Sequence, residues 1–306
     1  MEHLFRHIVV PLDQSVHSEA ALDPASELAL TFGARLSLLR VIEPDRVAGE
    51  VLPPDPMQGA LHRAQALGYL RRLTAGLAAR GVQAEATVVT GDPSAQVMEQ
   101  VRQRDADLLV FTRHGQGGAD LGALGGEAGQ VLLQARVSLL LIRDVPNRPG
   151  AVLVPLDGSA RAEHVLPVAQ RIALARRVPL LLAHALPEPE VPRGVPLTGR
   201  ERALKEELMT LNRDVMARYL DGLASSLRPD GACDVRLLDG THPLEGLHDL
   251  IRHEAVGLVV LSAHGHSGLR RWPYGRTALN LLTYAPVPVL IVQDLCAREF
   301  AARSQP

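Results

Sequence analysis

The chain has 306 residues and a formal net charge of −2 at pH 7. This length predicts two domains of roughly 150 residues each, because single hydrophobic cores rarely grow much larger. Hydrophobic residues make up 46% of the chain and aromatic residues only 3%, which favours Ala, Leu and Val cores between helices and β-strands. The absence of a basic excess argues against nucleic acid as a partner, and the lack of a signal peptide or a long apolar segment predicts a cytoplasmic protein without membrane contact.

An internal repeat organises the chain. HIVVPLDQS at residues 7–15 returns as AVLVPLDGS at 151–159, and DLLVFTRHG ending at Gly115 returns as GLVVLSAHG ending at Gly265. Such self-similarity predicts that one domain occurs twice, head to tail.

The domain boundary is predicted between two apolar strands, where VPNRPG combines Pro, Asn and Gly. We therefore expect a first domain at residues 1–146 and a second at 147–306, the latter ending in a short polar tail after Asp294.

Each half alternates strands and helices, which is typical of a parallel sheet covered by helices on both faces. Residues 204–227 have apolar side chains at helical spacing, and Pro93 and Pro243 mark the starts of shorter helices. The Pro-rich segments 44–56 and 187–196 predict loops. Charge-poor apolar runs predict doubly buried strands at 7–12, 35–42, 82–90, 107–112 and 137–142, and again at 151–156, 178–185, 232–238, 257–262 and 287–292.

An aspartate follows the first strand of each half, Asp13 in one and Asp157 in the other. Open parallel sheets bind ligands at the carboxyl ends of their strands. A carboxylate there can accept hydrogen bonds from a ribose hydroxyl or an adenine amino group, or it can simply cap the next helix. Both interpretations remain open from the residues alone.

A glycine-rich link follows the fourth strand in each half. Nine residues separate Gly115 from Gly125, and nine separate Gly265 from Gly275. Glycines let backbone amides approach a phosphate, and a helix N-terminus behind them favours an anion. The alternative is a flexible loop that needs glycine only for positive φ.

These features resemble the universal stress protein family, whose members have an aspartate after the first strand and a loop of the form G-x-x-G-x9-G-[ST] after the fourth. The resemblance spans nearly the whole chain, twice. It implies two tandem five-stranded parallel-sheet α/β sandwich domains, Rossmann-like and adenine nucleotide alpha hydrolase-like. Many members bind ATP or AMP, others bind no nucleotide, and they pair through their fifth strands. The resemblance therefore implies a non-enzymatic stress-response protein that binds ATP or AMP, or alternatively a dimerisation scaffold with degenerate sites, as a homodimer or an intramolecular pseudo-dimer.

In the second half, Ser262, Gly265, Gly275 and Arg276 stand where the family has Gly, Gly, Gly and Ser or Thr, and Thr277 comes one position late. Two of the four positions depart from the pattern, although Arg276 could contact a phosphate directly. The other residues that the resemblance assigns to this site are Pro155, Asp157, Ala185 and His264.

The first half is expected to be the weaker site, because Glu127 would repel a phosphate bound at the helix start. Its counterpart residues are Asp13, Val41, Gly115, Gly125 and Gly126.

Other ligand classes find less support. The G-x-G-x-x-G pattern fails at Asp120, and neither a P-loop nor a G-x-S-x-G elbow occurs, so a redox cofactor, phosphoryl transfer and an α/β-hydrolase are not indicated. No general base is paired with a nucleophile, and we expect no enzyme activity. A metal site is an alternative for four histidines near the predicted strand ends, although no carboxylate or cysteine has ligand spacing beside them: His184, His242, His264 and His266.

Overall fold

The computed structural model describes residues 5–44, 46–47, 50–51, 56–112, 137–143, 149–187, 197–239, 242–265 and 274–293. The described residues fall into two units. The first unit comprises those up to residue 143 together with 288–293, and the second comprises those from 149 to 287.

Strands and helices alternate along the chain. The elements up to residue 143 are β1 (His7–Pro11), α1 (Val16–Glu19), α2 (Leu22–Phe32), β2 (Arg35–Ile42), β3 (Arg46–Val47), β4 (Glu50–Val51), α3 (Pro56–Ala79), β5 (Ala84–Thr90), α4 (Pro93–Gln103), β6 (Leu108–Thr112) and β7 (Ser138–Ile142). Those that follow are β8 (Ala151–Pro155), α5 (Ala160–Glu163), α6 (Leu166–Arg176), β9 (Leu180–Leu186), α7 (Gly199–Leu227), β10 (Cys233–Asp239), α8 (Pro243–His253), β11 (Val256–Ser262), α9 (Arg276–Tyr284) and β12 (Val289–Val292).

The sheet of the first unit has the strand order β12-β7-β6-β1-β2-β5. Its repeat-one strands run parallel, whereas β12 lies antiparallel on β7, with Leu290 opposite Leu140. Since β7 and β12 are the fifth strands of the two repeats, the expected pairing of fifth strands occurs within one chain.

The sheet of the second unit has the order β10-β9-β8-β11, and its neighbouring strands are parallel. Every predicted strand is present with its ends within about two residues of the expected positions, the scatter usual at strand ends. The prediction of an α/β fold with five strands from each repeat is confirmed.

The central strands are buried almost completely, as their apolar composition predicts. At one end of the first core, the rings of Phe5 and Phe32 pack edge to face with centroids 5.0 Å apart. The outermost strands β5 and β10 differ, because Val88 is the only buried residue of β5 and Cys233 the only one of β10. The expectation of double burial is wrong for these edge strands, which have a neighbour on one side alone.

The predicted loop at 44–56 contains a short hairpin. Strands β3 and β4 pair antiparallel, with Arg46 opposite Val51 and Val47 opposite Glu50. The prolines of this segment lie outside the paired residues, so they leave the hairpin hydrogen bonds intact. Most of the second predicted loop, 187–196, lies outside the described residues.

Helix α7 begins earlier than its apolar pattern suggests. A reciprocal capping box between Thr198 and Glu201 fixes its start, with the Thr198 hydroxyl accepting from the Glu201 amide at 3.3 Å. The helix buries Leu220 and Ala224, but the apolar side chains of its first half are exposed: Leu204, Leu208, Leu211 and Val215. The predicted apolar face therefore packs against the sheet only in its second half.

Within the described parts of the chain, no helix has both the length and the apolar character needed to cross a membrane.

Candidate functional site

The first strand of each unit ends in an Asp-x-Ser turn. The Asp157 Oδ1 atom accepts hydrogen bonds from the Ser159 amide at 3.0 Å and from the Ser159 hydroxyl at 2.6 Å. The Ser159 Oγ atom in turn accepts from the Ala162 amide at 3.2 Å and caps α5. In the first unit Asp13 accepts from the Ser15 amide and hydroxyl at 2.8 and 2.6 Å. Since the serines cap the short helices, helix capping does not account for the aspartates.

The other carboxylate oxygen of Asp157 lies against the backbone of Gly265. A Cβ atom added at Gly265 would overlap Asp157 Oδ2, so no other residue type fits there without displacing the carboxylate. Gly265 follows β11, which pairs with β8, the strand that precedes Asp157. The structure thus brings together the first-strand aspartate and the first glycine of the predicted loop.

The second loop glycine stands at the N-terminus of α9. The Gly275 amide donates to the Ala263 carbonyl at 2.7 Å, which ties the helix start to the end of β11. Gly275 is the N-cap and has no side chain to offer the first helical amides. Arg276 and Thr277 form the first turn and are both exposed. Uncapped amides, the helix dipole and a guanidinium together favour an anion at this point.

Ser262 occupies the position where the family pattern has glycine. Its hydroxyl donates to the carbonyl of His264 two residues later. The side chain of His264 is buried, with only 4% of its surface exposed. Ser262 is therefore accommodated at the end of β11 by a local hydrogen bond.

The carboxyl ends of β8 and β9 form the remaining described part of this edge. Pro155 and Ala185 are partly exposed there, as a contact with a ligand requires. The His184 Nδ1 atom lies 2.8 Å from the carbonyl oxygen of Leu156, the residue before the aspartate. Because a carbonyl only accepts, Nδ1 bears the proton, and Nε2 of the neutral ring is an acceptor.

Of the four histidines considered for a metal, the three that the structure describes do not form one cluster. His184 contacts a backbone carbonyl, His242 is the N-cap of α8, and His264 is buried. His266 lies outside the described residues. Among the residues that the structure describes, no group of three or more His, Cys, Asp or Glu side chains could hold a metal ion.

The first unit is described only on its aspartate side. Asp13 is half-buried after β1, and Val41 is buried on β2 with 6% of its surface exposed. The predicted loop residues lie outside the described part of the chain: Gly115, Gly125, Gly126 and Glu127.

A tyrosine that the sequence analysis missed reaches the turn of each unit. The Tyr219 hydroxyl donates to Glu163 Oε1 at 2.9 Å, and the Tyr69 hydroxyl donates to Glu19 Oε1 at the same distance. Burial raises the pKa of both phenols, and the charges of Glu163 and Asp157 raise the pKa of Tyr219 further. Both hydroxyls therefore remain protonated donors. The available signal was a glutamate six residues after each aspartate.

The fold and these turns define a tandem, Rossmann-like α/β protein. Its Asp-x-Ser turns lie at the carboxyl ends of the parallel strands, where open sheets of this kind bind ligands. The model of the universal stress protein family matches residues 4–143 and again residues 150–293. The chain therefore belongs to the universal stress protein family and contains two copies of the family domain.

Three individual proteins show what the chain is similar to. The universal stress protein YxiE of Bacillus subtilis is 26% identical over 148 residues, which cover 46% of this chain and 100% of that protein. A crystal structure of a universal stress protein from Archaeoglobus fulgidus superposes with a TM-score of 0.67 at 16% identity, covering 96% of this chain and 100% of that one, and so shares its fold. A universal stress protein solved in complex with cAMP matches 45% of this chain and 97% of its own, at 22% identity and a TM-score of 0.36.

Proposed function

We propose that the chain is a cytoplasmic, non-enzymatic stress-response protein whose second unit binds an adenine nucleotide, ATP or AMP. The observation that supports this most directly is the contact of Asp157 with Gly265, because it joins the two sequence features at one edge. In this proposal the domains are residues 1–146 and 147–306, and the first acts as a degenerate partner.

The two ends of the edge suit the two ends of a nucleotide. Asp157 is exposed and offers an acceptor to ribose or adenine donors, beside the partly exposed Pro155 and Ala185. The phosphates would meet the amides at the start of α9 and the guanidinium of Arg276. The carboxylate would accept hydrogen bonds from the uncharged nucleoside, and the guanidinium would meet the negative charge of the phosphates.

The direct test is to look for a ligand that accompanies the protein. Freshly purified protein is heat-denatured and its supernatant chromatographed for ATP, ADP and AMP, and ATP is titrated into ligand-free protein by calorimetry. We expect up to one equivalent of adenine nucleotide per chain. A clean supernatant together with no heat on adding ATP would refute nucleotide binding.

A pair of arginine variants separates a phosphate contact from general electrostatics. Arg276→Ala should weaken ATP binding about tenfold, the effect of losing one charge-assisted hydrogen bond. Arg252→Ala is the matched control, because Arg252 is an exposed arginine of α8 that pairs with Asp249 at 2.7 Å. Equal affinities of the two variants would contradict the assigned role of Arg276.

The alternative function is a scaffold that binds no nucleotide. Ser262 and Arg276 favour it, because both depart from the family pattern of the phosphate loop. A scaffold predicts ligand-free protein and no response to Arg276→Ala. Because β7 and β12 already pair within one chain, a scaffold that self-associates would use another surface, and light scattering would separate monomer from dimer.

A further inference from the structure

We propose that Tyr219 is a positioning residue for the nucleotide site of the second unit, where its hydrogen bond to Glu163 holds the Asp157 turn against Gly265. This inference rests on the proposed function, since it concerns the same site. It assigns a role to a helix, α7, that contributes none of the family-pattern residues.

A continuous series of hydrogen bonds leads from α7 to the aspartate. The Tyr219 hydroxyl donates to Glu163, the last residue of the four-residue helix α5. The Glu163 amide donates to the Ser159 carbonyl at 3.2 Å, and Ser159 donates twice to Asp157. A movement of Glu163 therefore displaces the residue that orients the Asp157 carboxylate.

A second residue of helix α7 lies beside the turn. A Cβ atom at Gly158, between Asp157 and Ser159, would lie 4.0 Å from the terminal methyl of Met216. Met216 and Tyr219 are three residues apart on α7 and so share one face of the helix. Gly158 has a φ of 79°, a left-handed conformation that glycine adopts readily, and, among the described residues beyond its chain neighbours, Met216 has the side chain nearest to the space a Cβ would take there.

The electrostatics of the turn explain why a hydroxyl is needed. Both Glu163 and Asp157 act on the phenol of Tyr219 with negative charge. Two negative charges on one turn repel each other. The hydrogen bond that the Tyr219 hydroxyl donates to Glu163 offsets part of that repulsion. A phenylalanine at this position would keep the aromatic ring but remove this donor.

Loss of the Tyr219–Glu163 hydrogen bond is expected to weaken nucleotide binding, because the turn would then spend less time in its binding geometry. If the turn adopts its binding geometry only part of the time, the apparent Kd rises in inverse proportion to that fraction. Losing one hydrogen bond to a charged group corresponds to about a tenfold change.

The first unit supplies a matched control. Tyr69→Phe removes an equal 2.9 Å hydrogen bond to Glu19, so it should shift the urea midpoint of its own unit about as much as Tyr219→Phe shifts that of the second. ATP and adenosine are titrated into both variants by calorimetry. We expect Tyr219→Phe to weaken both ligands by about tenfold, and Tyr69→Phe to leave both affinities unchanged.

Two variants of Glu163 test whether the tyrosine acts through this carboxylate. Glu163→Gln keeps an acceptor oxygen and should retain most of the affinity that Glu163→Ala loses. The double variant Tyr219→Phe with Glu163→Ala should bind ATP no more weakly than Glu163→Ala alone. Each substitution removes the same hydrogen bond, so the second has nothing further to remove.

The outcomes are separable. Suppose that the wild-type protein binds ATP. If Tyr219→Phe then binds ATP as tightly, or if Tyr219→Phe and Tyr69→Phe are weakened equally, the positioning role is overturned and the proposed function stands. Wild-type protein that binds neither ATP nor adenosine overturns the proposed function and this inference with it.

Discussion

Replacing Gly265 with alanine should displace Asp157 from its turn. The added Cβ would overlap Asp157 Oδ2, and a carboxylate that turns away from it loosens the two hydrogen bonds that its Oδ1 atom accepts from Ser159. Because the overlap is with the far end of an exposed side chain and not with backbone, we expect the free energy of unfolding to fall by about 1 kcal/mol or less, the size of one hydrogen bond. Because the same movement misplaces the proposed ligand acceptor, we expect ATP affinity to fall along with stability.

The measurement is urea unfolding of purified protein followed by circular dichroism, with ATP titrations on the same samples. Gly222→Ala serves as control, because no atom lies within 4 Å of a Cβ added at this position of α7. That substitution should stabilise the protein by about 1 kcal/mol through helix propensity. The reasoning is refuted if Gly265→Ala unfolds at the wild-type urea concentration and binds ATP as wild type does.

Two further predictions concern stability. Burial lowers the pKa of His7 below its ordinary 6.5, with the positive charge of Arg35 adding to the effect, so the folded state prefers the neutral ring. As the pH falls below 6.5, His7 is protonated in the unfolded chain before it is protonated in the folded protein, so the free energy of unfolding should fall. A His7→Gln variant should show a flatter dependence on pH in the same urea titrations. In α7, Leu208→Gln should change the free energy of unfolding by less than about 0.5 kcal/mol, because 45% of Leu208 is exposed, whereas Leu220→Ala should cost about 2–4 kcal/mol, because Leu220 is 1% exposed. Equal losses for the two leucine variants would mean that the first half of α7 is covered in solution.

The strands were predictable because each is a short apolar run between polar or glycine-rich turns. The hairpin of β3 and β4 was not, since its strands are two residues long and lie among prolines. The apolar spacing of α7 identified its helical face correctly. Spacing cannot tell whether a face has a partner, and so the exposure of Leu204 to Val215 required the structure.

At the candidate site, the prediction of an aspartate and glycines at one edge followed from the rule that parallel strands present their carboxyl ends together. The contact between Asp157 and Gly265 is its structural counterpart. The Tyr219–Glu163 hydrogen bond could not be read from the sequence, because the two residues are 56 positions apart and meet only after α7 packs on the turn.

At the amino ends of the strands, the two units have different polar contacts. In the first unit His7 bridges the Arg104 carbonyl and the Ser37 hydroxyl, at 3.0 and 2.7 Å, and Glu85 pairs with both Ser37 and the Arg104 guanidinium. The strand registers match His7, Ser37 and Glu85 to residues of the second unit, and Arg104, the residue after α4, corresponds to the residue after α8. The equivalents, in the same order, are Ala151, Leu181, Asp234 and Glu254.

At the same place in the second unit, the described residues form an ion pair of reversed polarity: Arg236 on β10 donates to Glu254 at 2.6 and 3.1 Å. Packing alone evidently tolerates either solution at the amino ends of the strands. At the carboxyl ends, by contrast, four side chains are identical in the two units and make the same contacts: Asp13 and Asp157, Ser15 and Ser159, Glu19 and Glu163, and Tyr69 and Tyr219. Two copies that differ at one edge have kept the other, so the Asp-x-Ser turn and its tyrosine are a local structure common to the proposed binding unit and its proposed degenerate partner. The residues that distinguish the two units are therefore those of the glycine-rich loops, where the second has Arg276 and the first has Glu127.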